Sequence, residues 1–233
     1  MKYRWTYLDD RGRWYLRAKS YYSFGSSLHR ALERFHDSGD NGVETMFELA
    51  GALEEGWVEA GYRSQDDMND AFGEGLQILE RHVEQHRQRE DDATTLFVEK
   101  QLRFDMGEFN LIGRLDRVDE YPDGTVEVVD YKTGRTTVSV EDVANDIAMN
   151  IYQLLLSKKY PGRSVRARIV ALKSGESATH SFDGFELDAF EMVVHAIGQE
   201  ILEEQWEARE PVRKSLCTHC DFLPLCSHNP VFT

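Results

Sequence analysis

The chain is poor in cysteine and proline and has no long apolar run. It carries three cysteines and five prolines in 233 residues. All three cysteines lie at or beyond position 217, an odd set that cannot close a disulfide framework. They point instead to free thiols or metal ligands in a reducing compartment. The longest strongly apolar stretch, 151–156, is interrupted by Tyr152 and Gln153 and is far too short to span a bilayer. The opening Met1-Lys2-Tyr3-Arg4-Trp5-Thr6-Tyr7 leads into no apolar segment, so a secretory signal is not expected and the cytoplasm is the expected compartment. Basic side chains are also scarce, 27 against 42 acidic ones, for a net charge of −15. Spread evenly, that charge would argue against a nucleic-acid binder.

The composition is nevertheless that of a folded domain: 41% hydrophobic, 11% aromatic and 30% charged, enough to bury a core. One domain over 1–233 is expected, with an acidic helical insertion at 37–92 and a cysteine tail at 215–233.

The charge is unevenly placed. Segment 37–92 holds 16 acids and four bases, which is −12 of the total −15. Its apolar residues recur at three- and four-residue steps, which predicts two amphipathic helices with solvated acidic faces. In contrast, 147–175 has no acid but has Lys158, Lys159, Arg163, Arg166, Arg168 and Lys173, a net of +6. The first 19 residues add six bases against two acids. Both basic stretches are candidate phosphate-facing surfaces, since Lys and Arg neutralise nucleic-acid backbone charge.

The pattern predicts a helix over 20–35, the two acidic helices, and strands over 94–104, 109–120 and 125–131. A helix over 140–160, strands over 165–172 and 178–182, and a helix over 187–206 follow. This order predicts an α/β (α+β) fold, a mixed central sheet flanked by helices.

The turn Tyr121-Pro122-Asp123-Gly124 joins two β-rich runs, proline presetting one dihedral and glycine accepting a positive φ. Centring the hairpin on Asp123 makes facing residues sum to 246, so Asp116 faces Asp130 and Arg114 faces Lys132. Facing carboxylates about 4.5–5.5 Å apart are destabilising without a cation between them. Lys132 shares the Asp130 face by strand alternation. Two carboxylates and an ammonium can hold Mg²⁺ and activate water for attack on phosphate. A surface charge ladder, with a bulge breaking the pairing, is the alternative.

The run Gly113-Arg114-Leu115-Asp116-Arg117-Val118-Asp119, the turn, and Val129-Asp130-Tyr131-Lys132-Thr133-Gly134 resemble the core of the PD-(D/E)XK nucleases, of the RecB exonuclease type. Gly25-Ser26-Ser27-Leu28-His29-Arg30-Ala31-Leu32-Glu33 is similar to that family's G-x-x-x-H-x-x-L-E helix. The resemblance implies a restriction-endonuclease-like fold. It also implies a metal held by His29, Asp116, Asp130 and the Tyr131 carbonyl, with Lys132 catalytic and Glu99 supporting. Relatives carry Q-L-x-x-Y in the next helix, where Tyr152 matches the tyrosine but Ala148 occupies the glutamine position. Tyr152 and nearby Gln153, with Lys158 and Lys159, are the implied DNA contacts.

Cys217-Thr218-His219-Cys220, followed by Cys226, has the form C-x₂-C-x₅-C. It offers three ligands where a closed site needs four, and His219 and His228 could complete a zinc site. Iron–sulfur RecB-type nucleases end in this pattern and take a fourth cysteine from near the N-terminus. Lys2-Tyr3-Arg4 looks like their C-P-x-K/R-Y string entered after its cysteine, so an upstream Cys-Pro is the expectation. The implied activity is Mg²⁺- or Mn²⁺-dependent exonucleolytic hydrolysis of single-stranded DNA or DNA ends in repair, with a helicase or repair partner and a possible 4Fe-4S cluster. Competing readings are a CRISPR-associated relative trimming DNA for spacer acquisition, and a non-catalytic DNA-binding module.

Overall fold

The computed structural model describes residues 1–39, 42–206 and 208–229. Positions 40 and 41 of the acidic segment and residues 230–233 of the cysteine tail lie outside the described residues. A five-stranded sheet is built from β1 (Thr94–Asp105), β2 (Asn110–Glu120), β3 (Val126–Lys132), β4 (Val165–Ala171) and β5 (Glu176–His180), in that spatial order. All neighbours are antiparallel except β3 and β4, which run parallel.

A parallel neighbour requires a crossover, supplied by α4 (Val140–Ala144) and α5 (Ile147–Lys159). The single helix expected over 140–160 is therefore two. Asn145 ends the first, and the Asp146 side chain accepts hydrogen bonds from the Ala148 and Met149 amides to start the second. Such a cap satisfies amides that no helix can pair internally.

On one face of the sheet lie α1 (Ser20–His36), α2 (Met46–Glu55) and α3 (Gln65–Arg87). Phe24, Leu28, Ala31 and Leu32 of α1 repeat at helical spacing and are buried against Leu49 and Leu53 of α2, Ile78, Leu79 and Val83 of α3, and Val129, Tyr131 and Val170 of the sheet. The acidic segment thus shares one core with the sheet, its acids turned outward. Its helices start where the sequence signals them, at the Thr45–Glu48 capping box and at Ser64, whose hydroxyl accepts from the Asp67 amide.

The opposite face packs Val126, Val128, Ala167 and Ile169 against Met149, Leu155 and Leu156 of α5. Gly113 permits this contact. A Cβ there would lie 2.7 Å from Leu155 Cδ1 and 2.9 Å from Tyr152 Cε1. The long helix α6 (Gly184–Glu203) follows the sheet, and α7 (Leu223–Ser227) lies in the cysteine tail. The N-terminal segment forms a π-helical turn, Arg4–Leu8, and a 3₁₀ turn, Asp10–Tyr15, which the apolar pattern did not signal. No helix among the described residues is long and apolar enough to cross a membrane.

Candidate metal centre

The β2–β3 hairpin has the expected register, Arg117 opposite Val129 and Val118 opposite Val128, both summing to 246. The ladder stops at Arg117, because β3 then continues alongside β4. Asp116 and Asp130 are therefore not a ladder pair. Asp116 Oδ2 instead accepts a hydrogen bond from the Tyr131 amide at 2.8 Å, and the predicted apposition of Arg114 and Lys132 does not form.

Strand alternation sends the Tyr131 side chain into the core under α1–α3 and leaves its two neighbours, Asp130 and Lys132, on the other side. The Lys132 ammonium lies 2.6 Å from Asp130 Oδ2, a close ion pair.

Helix α1 brings His29 to the same place. Its Nε2 lies 3.0 Å from the Tyr131 carbonyl, and its Nδ1 lies 3.4 Å from Asp116 Oδ1 and 3.5 Å from Glu99 Oε1. Gly25, one turn earlier, sits against Thr133, where an added Cβ would be 3.1 Å from Oγ1. The glycine of the helix motif thus lets α1 lie against the Lys132-Thr133-Gly134 segment.

Glu99 reaches the cluster from β1 through an unusual backbone. Its φ is +43°, a left-handed conformation rare for a side chain larger than glycine. A bulge between Thr95 and Phe97 precedes it, and Arg114 Nε holds its Oε2 at 2.7 Å. Among the described residues, His29, Glu99 and Asp116 form a set of three whose ligand atoms all lie within 4.8 Å of one another.

The electrostatics are those of a site dominated by carboxylates. Burial pushes the Asp130 carboxyl up to about 6, helped by the charge of Asp116, while Lys132 and His29 pull the other way. Burial opposes a charge on His29, but Asp116 and Glu99 outweigh it and push the imidazole up to about 10. Both ring nitrogens then carry protons, Nε2–H facing the Tyr131 carbonyl and Nδ1–H facing the two carboxylates. A divalent cation would take the place of the Nδ1 proton. Carboxylate oxygens with one imidazole suit Mg²⁺ or Mn²⁺. The residues present therefore fit such a metal. The His29 Nε2 and the Tyr131 carbonyl face each other 3.0 Å apart at the edge of this site.

The implied DNA contacts fare unevenly. Tyr152 packs over Gly113, and burial together with the charges of Asp130 and Asp116 pushes its phenol up to about 12, so it borders the site. Gln153 does not face a strand. It is fully buried and accepts from the Phe182 amide at 2.9 Å, because its position on α5 is turned inward. Lys158 pairs with Glu191 at 2.5 Å, whereas Lys159 lies over the Tyr160 ring. Most of the +6 stretch is neutralised in the same way: Arg163 pairs with Glu120, Arg166 and Arg168 with Glu127, and Lys173 with Glu74. It is therefore no general phosphate-facing surface.

Behind the centre lies a buried polar network that the sequence pattern did not reveal. Arg117 Nη1 donates to the Tyr131 hydroxyl at 2.7 Å and contacts His36 Nε2 at 2.7 Å, while its Nε lies 3.1 Å from Asp119. His36 Nε2 is also 2.9 Å from His82 Nε2. Since Arg117 can only donate, that His36 nitrogen accepts, and His82 supplies the other N–H. Burial and then Arg117 depress both imidazoles, His82 to about 3. The signal available in sequence was charge at alternate positions of otherwise apolar strands.

The three cysteines are partly exposed free thiols. Cys217 Sγ accepts from the Lys214 amide at 3.3 Å, and the segment docks through buried Phe222 and a 3.1 Å Lys19–Asp221 ion pair. Among the described residues, Cys217, Cys220 and Cys226 do not converge with His219 or His228 into a set of ligand atoms.

Carboxylates, an imidazole and a lysine gathered where a hairpin splays beside a parallel strand define a metal-dependent phosphodiesterase type of site. A family model of the PD-(D/E)XK nuclease superfamily matches residues 1–227, and the chain belongs to that superfamily. Its mixed sheet flanked by helices is of the restriction-endonuclease-like kind. No curated protein matches the chain. Among matching solved structures is one described as "Crystal structure of SSO0001", 13% identical, covering 89% of this chain and 95% of that one, at a TM-score of 0.37.

Proposed function

We propose that the protein is a Mg²⁺- or Mn²⁺-dependent deoxyribonuclease of the RecB exonuclease type, hydrolysing single-stranded DNA or DNA ends in repair or processing in the cytoplasm. The convergence of His29, Glu99 and Asp116 beside the Asp130–Lys132 pair carries this reading. The cleft above them, of about 840 Å³, admits a strand, with Arg30 and Arg114 on its wall.

A bound divalent cation supplies Lewis acidity to the phosphate and lowers the pKa of water. His29, Asp116, Asp130 and the Tyr131 carbonyl would hold it, with Glu99 beside them. The Lys132 ammonium, 2.6 Å from Asp130, would orient the attacking water by donating a hydrogen bond to it. Arg114, anchored on Glu99 through Nε, faces the cleft and pairs with phosphate.

Cleavage of a labelled single-stranded oligonucleotide in Mn²⁺, compared with EDTA, tests this. Asp130→Asn and Lys132→Ala are expected to abolish cut product without loss of fold. Undiminished cleavage by purified Lys132→Ala would refute the assignment. The C-x₂-C-x₅-C segment is proposed as a metal-binding staple, either 4Fe-4S or zinc. Its docking against the start of α1 supports this, and metal content with visible absorbance of the purified protein tests it.

A further inference from the structure

The mouth of the cleft contains two aromatic side chains that the reaction as described does not use. Tyr21 and Tyr22, in the first turn of α1, are 58% and 63% exposed, with ring centroids 4.4 Å apart at 49°. Both line the same cleft as His29, Glu99 and Asp116. A folded chain has little reason to hold two adjacent tyrosine rings in water for packing alone, since each forgoes the burial that large aromatics gain. Three cations, Arg30, Arg114 and Lys173, line it too, beside Glu33; Arg114 is paired with Glu99 and Lys173 with Glu74. Arg30 donates to the Gly56 carbonyl at 3.3 Å, which fixes its stem along the wall.

Cations that track a phosphodiester backbone, together with exposed aromatic faces beside them, form the arrangement that binds unpaired strands. In a duplex the base faces are already covered by their neighbours, and only edges are offered. An unpaired strand presents free faces that a tyrosine ring can cover. Resting on the nuclease reading above, we propose that Tyr21 and Tyr22 form a base-stacking step at the entrance of the metal centre and select unpaired over paired strands. The backbone then passes Arg30 and Arg114 on its way to Asp116.

The position on α1 adds a physical consequence. Tyr21 and Tyr22 stand two turns before His29 on one rigid helix, and Gly25, between the tyrosines and the histidine, locks that helix onto Thr133 beside Lys132. A base stacked on the step is therefore held at a fixed distance from the scissile phosphate, as positioning requires.

The test uses the full chain with Tyr21 and Tyr22 both changed to Ala, and a second protein with both changed to Phe. In EDTA, an oligonucleotide carrying 2-aminopurine reports stacking by loss of fluorescence. The Ala pair is expected to weaken single-strand affinity at least about fivefold, the lower bound for one base–aromatic stack, with the quench lost. The Phe pair keeps both, and affinity for a blunt duplex is unchanged. In Mn²⁺ the Ala pair raises KM for single strands and lowers kcat, since the scissile phosphate loses its fixed position. An Ala pair with parental single-strand affinity and KM overturns the stacking step while the nuclease reading stands. Equal losses for single strand and duplex also overturn it. Should the parent quench 2-aminopurine yet cut nothing in Mn²⁺, the nuclease reading falls and the stacking step survives.

Discussion

Replacing Asp130 with asparagine should make the metal-free protein more stable while destroying its chemistry. The carboxyl is held at about 6 against an ordinary 3.8, first by burial and then by the charge of Asp116. Once ionised, the folded state therefore bears about 3 kcal/mol that the unfolded chain does not, at 1.36 kcal/mol for each pH unit between the two values. The folded pKa is the higher one. This penalty is accordingly absent below pH 3.8, grows as pH rises from 3.8 to 6, and is constant above. The asparagine amide is isosteric with the carboxylate and uncharged, so the variant escapes it. For a chain of this length about 1 kcal/mol moves Tm by roughly 2–4 °C. Thermal unfolding in EDTA should show the variant melting about 6–12 °C higher at pH 8, with the gap closing towards pH 4. Mn²⁺ at a thousand times the parent's Kd should reverse the order, because it stabilises the parent by about 4.1 kcal/mol and the variant by much less. A variant no more stable than the parent at pH 8, or a gap indifferent to pH, would refute the claim that burial and Asp116 penalise the Asp130 charge.

Three further outcomes follow from the packing. Gly113→Ala should cost about 1–3 kcal/mol in denaturant unfolding, the usual price of overpacking, since its Cβ would fall 2.7 Å from Leu155 Cδ1; a neutral result would mean α5 is free to shift. Arg117→Met should cost about 1–3 kcal/mol and slow cleavage, because it removes one of the two arginines paired with buried Asp119, leaving Arg89 at 3.3 Å, and frees the Tyr131 hydroxyl. Unchanged unfolding and cleavage would show that the network does not hold the site. His36 and His82 are depressed imidazoles, so the stability they allow is complete above pH 6.5 and falls as pH drops below it. In chemical unfolding between pH 7 and 5, His82→Leu should flatten that fall, and an unaltered slope would place the acid sensitivity elsewhere.

The sequence made the hairpin legible because its register depends on local chemistry. Pro122 and Gly124 fix the turn, and the 246 sum holds at every paired position of the ladder. The departure of β3 beyond Val129 was not legible, since it depends on β4, some 35 residues later, competing for the same backbone. His29 and Glu99 could be named only through resemblance, as nothing local says that a helix and a bulged strand 70 residues apart will meet. The +6 stretch misled for a related reason: Glu74, Glu120, Glu127 and Glu191 are distant in sequence, and only the fold brings them to those cations. Gln153 was misjudged by a rotation of one residue on α5, which turns its amide from the cleft to the interior.

Tyr131 gives the centre a hidden frame of reference. Its amide fixes Asp116, its carbonyl meets His29, and its side chain, 4% exposed, ends on Arg117. The spacing between the residues that meet the substrate is thus dictated from a place no substrate reaches. Two chains with identical clefts can accordingly differ in turnover through interior substitutions alone, and an intact Asp-Tyr-Lys string certifies an active enzyme only when the interior that calibrates it is also intact. Anyone retuning this centre for another metal would begin on the dry side of the sheet.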